Sequence, residues 1–137
     1  MSMLTTLQIS SSAMNAQMVR MNTTASNLAN MDVVGSSEAE AYKAKKPMFK
    51  TVMETYTNND FQASVSVSGI HVTERANSKR YDPQNPAANG DGYVFMSNVN
   101  SIEEMVDMTN ASRSYQTNVE VMNATKKMMM STLQLGR

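Results

Sequence analysis

Residues 101–137 read SIEEMVDMTNASRSYQTNVEVMNATKKMMMSTLQLGR, and the spacing inside them decides the fold. Met105, Met108, Ser112, Tyr115, Val119, Met122, Lys126, Met129 and Leu133 recur at alternating intervals of three and four. That 3.5-residue repeat predicts a helix that packs along its length against another helix. Ser112 and Lys126 interrupt the apolar run without breaking its period. At the start, Ser101 and Glu104 fit a capping box in which each satisfies the other's backbone donor. Glu103, Glu104 and Asp107 place negative charge at the helix start, and Lys126, Lys127 and Arg137 place positive charge toward its end, complementing the macrodipole. Gly136 is a natural stop.

The partner is sought at the other end of the chain. Leu4, Leu7, Ser11, Met14, Met18, Met21, Ala25 and Leu28 carry the same repeat. Residues 3–31 contain no Gly or Pro, and Arg20 is their only charge. The polar face is Gln, Asn, Ser and Thr, several of which are weak helix formers. This helix is expected to be marginal in water without a packing partner. An insert that leaves near residue 31 and returns near residue 101 favours an antiparallel pair. Facing residues then have numbers summing to 133, or to that value shifted by one heptad. Met18 is expected opposite Tyr115 or Met122.

Between the arms the helical period disappears. Gly35, Ser36 and Ser37 read as a loop, and Tyr42 to Met53 is basic and mixed, with Pro47 inside. Ala63, Val65 and Val67 then alternate with Ser64, Ser66 and Ser68. The parity flips after Gly69, where Ile70 and Val72 become the apolar set. A half-buried strand with a bulge or turn at Gly69 explains both facts. Tyr81 to Pro86 is dense in turn signals, Asn89-Gly90 and Asp91-Gly92 follow, and Tyr93 to Met96 reads as a short strand. The expected fold class is mainly α with a β-rich insert. An N-terminal helical arm (1–31) and a C-terminal arm (101–137) pack together around a central β-rich subdomain with loops (32–100).

Composition narrows the function. The 137 residues carry 12 basic and 12 acidic side chains, a balance that argues against nucleic acid, which requires a basic field. Apolar runs such as Met128-Met129-Met130 fall far short of the ~20 residues that span a bilayer. Polar residues interrupt the first arm throughout, so no cleavable signal peptide is expected. Cysteine is absent, which removes disulfides and thiolate chemistry. Methionine is abundant, at 15 residues, either as core filler or as a seam that adapts to several neighbours.

Chemistry is sparse. His71 is the single histidine, and no Gly-x-Ser-x-Gly elbow or phosphate loop accompanies it. Asp82 to Asp91 resembles a calcium loop in composition only, without the ligand spacing or closing Glu. Lys43, Lys45, Lys46 and Lys50 cluster near Tyr42, as a contact for an acidic partner or as a solvated face. Asn27, Asn30, Asn110 and Asn118 are available for interface hydrogen bonds or for an ordinary polar face. No catalytic residue, cofactor, metal or small-molecule substrate is expected.

Both arms also resemble a family. Ala25-Ser26-Asn27-Leu28-Ala29-Asn30 is similar to the N-terminal signature of bacterial flagellar axial proteins, the rod and hook components. Asn98-Val99-Asn100 with Glu103 to Val106, Ala111 to Glu120, and Thr132 to Gly136 resemble that family's C-terminal signature and ending. The usual Thr-Pro-Gly-Tyr after the first signature is replaced by Met31 to Gly35, with Tyr42-Lys43-Ala44-Lys45 arriving later. That variant, with Tyr81-Asp82-Pro83 and Asp91-Gly92-Tyr93-Val94, resembles a proximal-rod member.

The resemblance implies a structural subunit that passes unfolded through the flagellar type III export apparatus. It implies helical assembly in the periplasmic part of the basal body, with the terminal helices as the inner tube. The partners implied are further copies, other rod proteins and the membrane-ring and export-gate base, and the work is transmission of motor torque. Folding on assembly fits the weak isolated helix. The candidate assembly interface is Leu4, Leu7, Met14, Met18, Met21, Ala25, Asn27, Leu28, Asn30, Met105, Met108, Tyr115, Val119, Met122, Met129 and Leu133. The competing readings are a soluble coiled-coil adaptor or export chaperone and, from a different class, a small enzyme built on His71.

Overall fold

The computed structural model describes residues 3–56 and 60–135. Helix α1 (Met3–Ala29) opens the chain and α2 (Ser101–Leu135) closes it. Between them lie β1 (Val34–Gly35), β2 (Lys45–Tyr56), β3 (Asp60–Val72), β4 (Lys79–Tyr81) and β5 (Tyr93–Met96). The expected class, two long terminal helices around a β-containing insert, is the observed one.

The helices pack against each other along their length. Near the end of α1, Asn27 Nδ2 donates to Glu104 Oε2 near the start of α2 at 3.0 Å, so the pair is antiparallel. The seam differs from the expected one by a rotation. In α2 the covered stripe is Glu104, Met108, Ala111, Tyr115, Asn118, Met122, Thr125 and Met129. Met108, Tyr115, Met122 and Met129 belong to both stripes, but the alternate positions move back one residue. Met105, Lys126 and Leu133 are exposed, while Glu104, Ala111 and Thr125 are buried.

Helix α1 shows the same correction. Leu7, Met14, Met21 and Leu28 stay half-buried, whereas the alternate places belong to Ser10, Gln17 and Thr24 rather than to Ser11, Met18 and Ala25. Met18 is 45% exposed, so an expected pairing through it gives way to one through its neighbours. The numbers 27 and 104 sum to 131, two short of the expected value. The physical reason is size: Ser, Thr and Ala at alternate positions let the backbones approach where Met would hold them apart.

The start of α2 is also corrected. Asn100, one residue earlier than expected, is the cap. Its Oδ1 accepts from the Ile102 N–H at 3.1 Å, and its Nδ2 donates to Glu103 Oε1 at 3.1 Å. Glu104 cannot close a box on Ser101 because Asn27 holds it. Glu103 and Glu104 lie in the first turn as expected, but the last described turn holds no basic residue. Lys126 and Lys127 sit more than two turns before Leu135, beyond the short reach of the macrodipole. Gly136 and Arg137 lie outside the described residues.

The second face of α1 packs against the β2–β3 hairpin. Strand β2 occupies the stretch read as merely basic and mixed. A two-stranded ladder tolerates Pro47, whose missing N–H interrupts no third strand. Met48 pairs with Gly69 and Phe49 with Val67, which leaves Ser68 as the extra residue of a β-bulge. The bulge explains the parity flip, because it keeps Ala63, Val65, Val67, Ile70 and Val72 on one face. The half-burial expected along this face fails at its end, where Ile70 is 56% and Val72 45% exposed.

Residues 73–100 fold over the junction. β5 lies between β1 and β4, antiparallel to both. Val94, in the centre strand, is fully buried. Asn89 Oδ1 accepts from the Asp91 and Tyr93 N–H groups, so the Asn-Gly-Asp-Gly stretch turns around a side-chain clamp.

Candidate assembly surface

The site begins with Asn27, which is fully buried. Its Nδ2 donates to the Lys45 carbonyl at 2.8 Å and to Glu104 Oε2 at 3.0 Å. Its Oδ1 accepts from Tyr42 Oη at 3.0 Å and from the Lys45 N–H at 3.0 Å. Two donors and two acceptors use the full capacity of one amide. A single side chain therefore fastens α1 to the first residue of β2 and to α2. Glu104 is itself only 3% exposed.

Two further asparagines brace the same junction. Asn98 Oδ1 accepts from the Ala44 N–H at 2.7 Å, and its Nδ2 donates to the Thr73 and Arg75 carbonyls. Asn77 Nδ2 donates to the Tyr42 and Met96 carbonyls. On the hairpin side, Ser12 Oγ accepts from the Val65 N–H at 3.2 Å and donates to the Ile9 carbonyl at 2.9 Å. The Arg20 guanidinium lies 4.9 Å from the centre of the Phe49 ring, a cation–π contact. Helix α1 is thus covered on two sides, by α2 and by the hairpin.

Large apolar side chains are left outside this framework. The described buried apolar residues are Ala16, Ala41, Ala44, Val94 and Ala111, four of them alanines. Meanwhile Leu4 is 62%, Ile102 71%, Met130 54% and Leu133 71% exposed. The fully buried apolar residues are thus small, and several of the largest stay exposed on the terminal helices.

Ile102, Val106, Thr109, Arg113, Gln116, Glu120, Asn123, Lys127 and Met130 form an exposed heptad stripe on the side of α2 away from α1, apolar at its two ends and polar between them. Shallow grooves lie toward its two ends, one lined by Ile102, Met105 and Val106, the other by Lys126, Lys127 and Met130.

The structure divides the candidate residues of the sequence. Leu7, Met14, Met21, Leu28, Met108, Tyr115, Val119, Met122 and Met129 are half-buried. Leu4, Met18, Ala25, Met105 and Leu133 face solvent. Asn27 is the junction, and Asn30 Nδ2 closes the end of α1 on the Ser26 carbonyl at 2.7 Å. Sequence reasoning missed Glu104 as a partner of Asn27, and missed Ile102, Val106 and Met130 as a second stripe. The second stripe was detectable as a heptad offset from the first.

His71 is exposed on β3. Among the described residues no cluster of His, Asp and Glu has the arrangement of a metal site. Lys45 Nζ lies 5.6 Å from the Tyr42 ring centre, and Lys46 and Lys50 are exposed.

Comparisons with known proteins converge on both arms. The family model for flagella basal body rod proteins matches residues 7–35. The model for the C-terminal region of flagellar basal body rod FlgEFG proteins matches residues 91–135. The chain is 39% identical over 137 residues to the flagellar basal-body rod protein FlgC of Salmonella typhimurium, covering all of both chains. It is 40% identical over 137 residues to the protein of that name from Escherichia coli O157:H7, again over all of both. The Bacillus subtilis protein of that name is 35% identical over 144 residues, covering 96% of each.

Proposed function

Because this chain belongs to the FlgC family of flagellar basal-body rod proteins, we propose that it builds the proximal segment of the rod through its two terminal helices. As a family member it is a structural rod subunit of the flagellar basal body, serving motility alongside other rod components. The finer reading is mechanical. The outward stripe of α2 and the open residues of α1 contact neighbouring subunits in a helical array, while the β insert projects away from it. Torque from the motor passes along these helix contacts, and no substrate is turned over.

The observation that carries this reading is the inverted burial of the terminal helices. Small and polar residues take the fully buried positions of the contact within the subunit, Leu7, Met14, Met21, Leu28, Met108, Met122 and Met129 are only half-covered by it, and Leu4, Met18, Met105 and Leu133 stand outside it. The sequence of α1 adds support for delivery in an unfolded state through the flagellar export apparatus to the periplasmic base of the rod. A helix of Ser, Thr, Asn and Gln with little intrinsic helicity gains its order from packing.

The test is a clean deletion of the gene, followed by electron microscopy of isolated basal bodies. Bodies that stop at the membrane ring, lacking rod and hook, are the expected result. Normal rods in motile cells would remove the reading and leave an adaptor or export chaperone in its place.

A further inference from the structure

Asn89-Gly90 is the only Asn-Gly pair in the chain. At such a pair the glycine backbone nitrogen can attack the asparagine side-chain carbonyl, because glycine has no Cβ to block the approach. The asparagine has a structural task. Its Oδ1 accepts from the Asp91 N–H at 3.0 Å and from the Tyr93 N–H at 2.9 Å. Its own N–H donates to the Tyr93 carbonyl at 2.9 Å, and its carbonyl accepts from the Gly92 N–H at 2.9 Å. The glycine has no such task. Gly90 lacks the positive φ of Gly92, and a Cβ there would meet nothing within 4 Å. Gly90 is exposed, and its N–H donates to no backbone carbonyl among the described residues. The nucleophile is free and open to water, and only the electrophile is held.

We propose that Asn89 is a spontaneous deamidation site that the folded turn holds closed. In the open chain the Gly90 nitrogen bonds to Cγ of Asn89 and gives up its proton, and the side-chain nitrogen leaves with that proton as ammonia. The product is a five-membered succinimide. Water then breaks one of two ring bonds. Opening at Cγ gives Asp, and opening at the main-chain carbonyl gives isoAsp, in which the backbone runs through the former side chain. Ring closure must move the carboxamide and the peptide unit that four hydrogen bonds pin, so the reaction waits on local opening of residues 89–93. The same turn separates the two products. An aspartate keeps an Oδ acceptor for the Asp91 and Tyr93 N–H groups, now with charge assistance. An isoaspartate lengthens the backbone by a methylene and displaces both main-chain bonds, just before β5 carries Val94 into the centre of its sheet. The site therefore records the time a chain spends with this turn unfolded. When that time falls in the life of the subunit, though not the chemistry, rests on the delivery reading above.

The full chain is incubated in mildly alkaline buffer with and without urea, and its peptides are read by mass spectrometry with fragmentation that separates Asp from isoAsp. In urea Asn89 is expected to convert ahead of every other asparagine. Without urea the conversion is expected to be slower by about tenfold or more, since it must wait for the turn to open. Gly90→Ala is expected to slow the reaction in urea on the order of tenfold, because a Cβ now blocks the approach. The same variant keeps the native unfolding midpoint, which separates lost reactivity from altered folding. Gly92→Ala leaves the reacting pair intact but strains the turn, and is expected to raise the rate without urea. Asn89→Asp is expected to unfold at the native midpoint. Equal rates with and without urea, faster conversion at another asparagine in urea, a Gly90→Ala chain that converts as fast as native, a Gly92→Ala chain no faster than native in buffer, or a destabilised Asn89→Asp chain would overturn the proposal. None of these results bears on the basal-body phenotype of the deletion, so the two readings fail separately.

Discussion

Asn27 and Glu104 stand 77 residues apart in sequence and 3.0 Å apart in space, with both side chains buried. Their contact joins the two ends of the chain at the point where the β insert leaves and returns. Removing Asn27 strands the Glu104 carboxyl and both backbone groups of Lys45, and leaves the Tyr42 hydroxyl only its 3.4 Å contact with Ser26 Oγ. Asn27→Ala is expected to lower stability by about 3 kcal/mol, the scale of buried polar groups left without partners. Asn27→Asp keeps the shape but loses both donors and sets a second carboxyl beside Glu104, and it is expected to cost at least as much. Urea unfolding of the two variants checks this. Loss below about 1 kcal/mol in both would show that the junction is held elsewhere.

Glycine 35 and glycine 69 give a controlled contrast. A Cβ on Gly35 would lie 2.7 Å from the Ala41 backbone nitrogen, whereas one on Gly69 meets nothing within 4 Å. Gly35→Ala therefore forces backbone apart where β1 meets the following loop, at a cost of about 2 kcal/mol. Gly69→Ala stays within roughly 0.5 kcal/mol. Gly92→Ala belongs with the first, because Gly92 has φ of 77° and its Cβ would press on the Tyr81 ring at 3.0 Å. Thermal unfolding of the three variants ranks them, and equal midpoints would contradict the close approach at Gly35.

The bulge predicts which deletions in β3 are tolerated. Deleting Ser68 removes the extra residue and leaves Met48 opposite Gly69 and Phe49 opposite Val67. The register survives, and stability changes by less than about 1 kcal/mol. Deleting Ser66 instead moves Ser68 into the place of Val67 opposite Phe49, and the lost apolar contact costs about 1–2 kcal/mol. Chemical denaturation of the two deletions decides, and a reversed order would contradict the assigned bulge.

How much of this was legible depends on residue size. Leu7, Met14, Met21, Leu28, Met108, Tyr115, Met122 and Met129 were readable because each is large, apolar and in period. Their alternates were not, since a reading by hydrophobicity prefers Met18 to Gln17 and Met105 to Glu104. The helices choose the smaller or hydrogen-bonding neighbour because the inner seam is close and contains the Asn27 junction. The bulge was legible from the parity flip at Gly69, while strand β2 was hidden by its lysines and Pro47. The role of Asn27 was not legible in spacing, because its partners come from two distant segments, Tyr42 to Lys45 and the start of α2, that only the fold assembles.

The buried seam and the exposed first groove of α2 predict opposite behaviour for two substitutions six residues apart. Ala111 is fully buried against α1 and Met105 is 53% exposed on the outer side. Ala111→Leu forces extra volume into a close contact and is expected to destabilise the isolated subunit by about 2 kcal/mol. Met105→Ala removes a side chain that the subunit does not cover, so its unfolding midpoint stays within about 0.5 kcal/mol of native. Function reverses the order of interest. If neighbours in the rod cover Met105, the stable Met105→Ala variant swims poorly and yields few complete basal bodies at normal protein level. Soft-agar motility and counts of intact rods, read beside the unfolding curves, make the comparison. A fully motile Met105→Ala strain would place the assembly contact away from the first groove of α2, and an unfolded one would return Met105 to the inner seam.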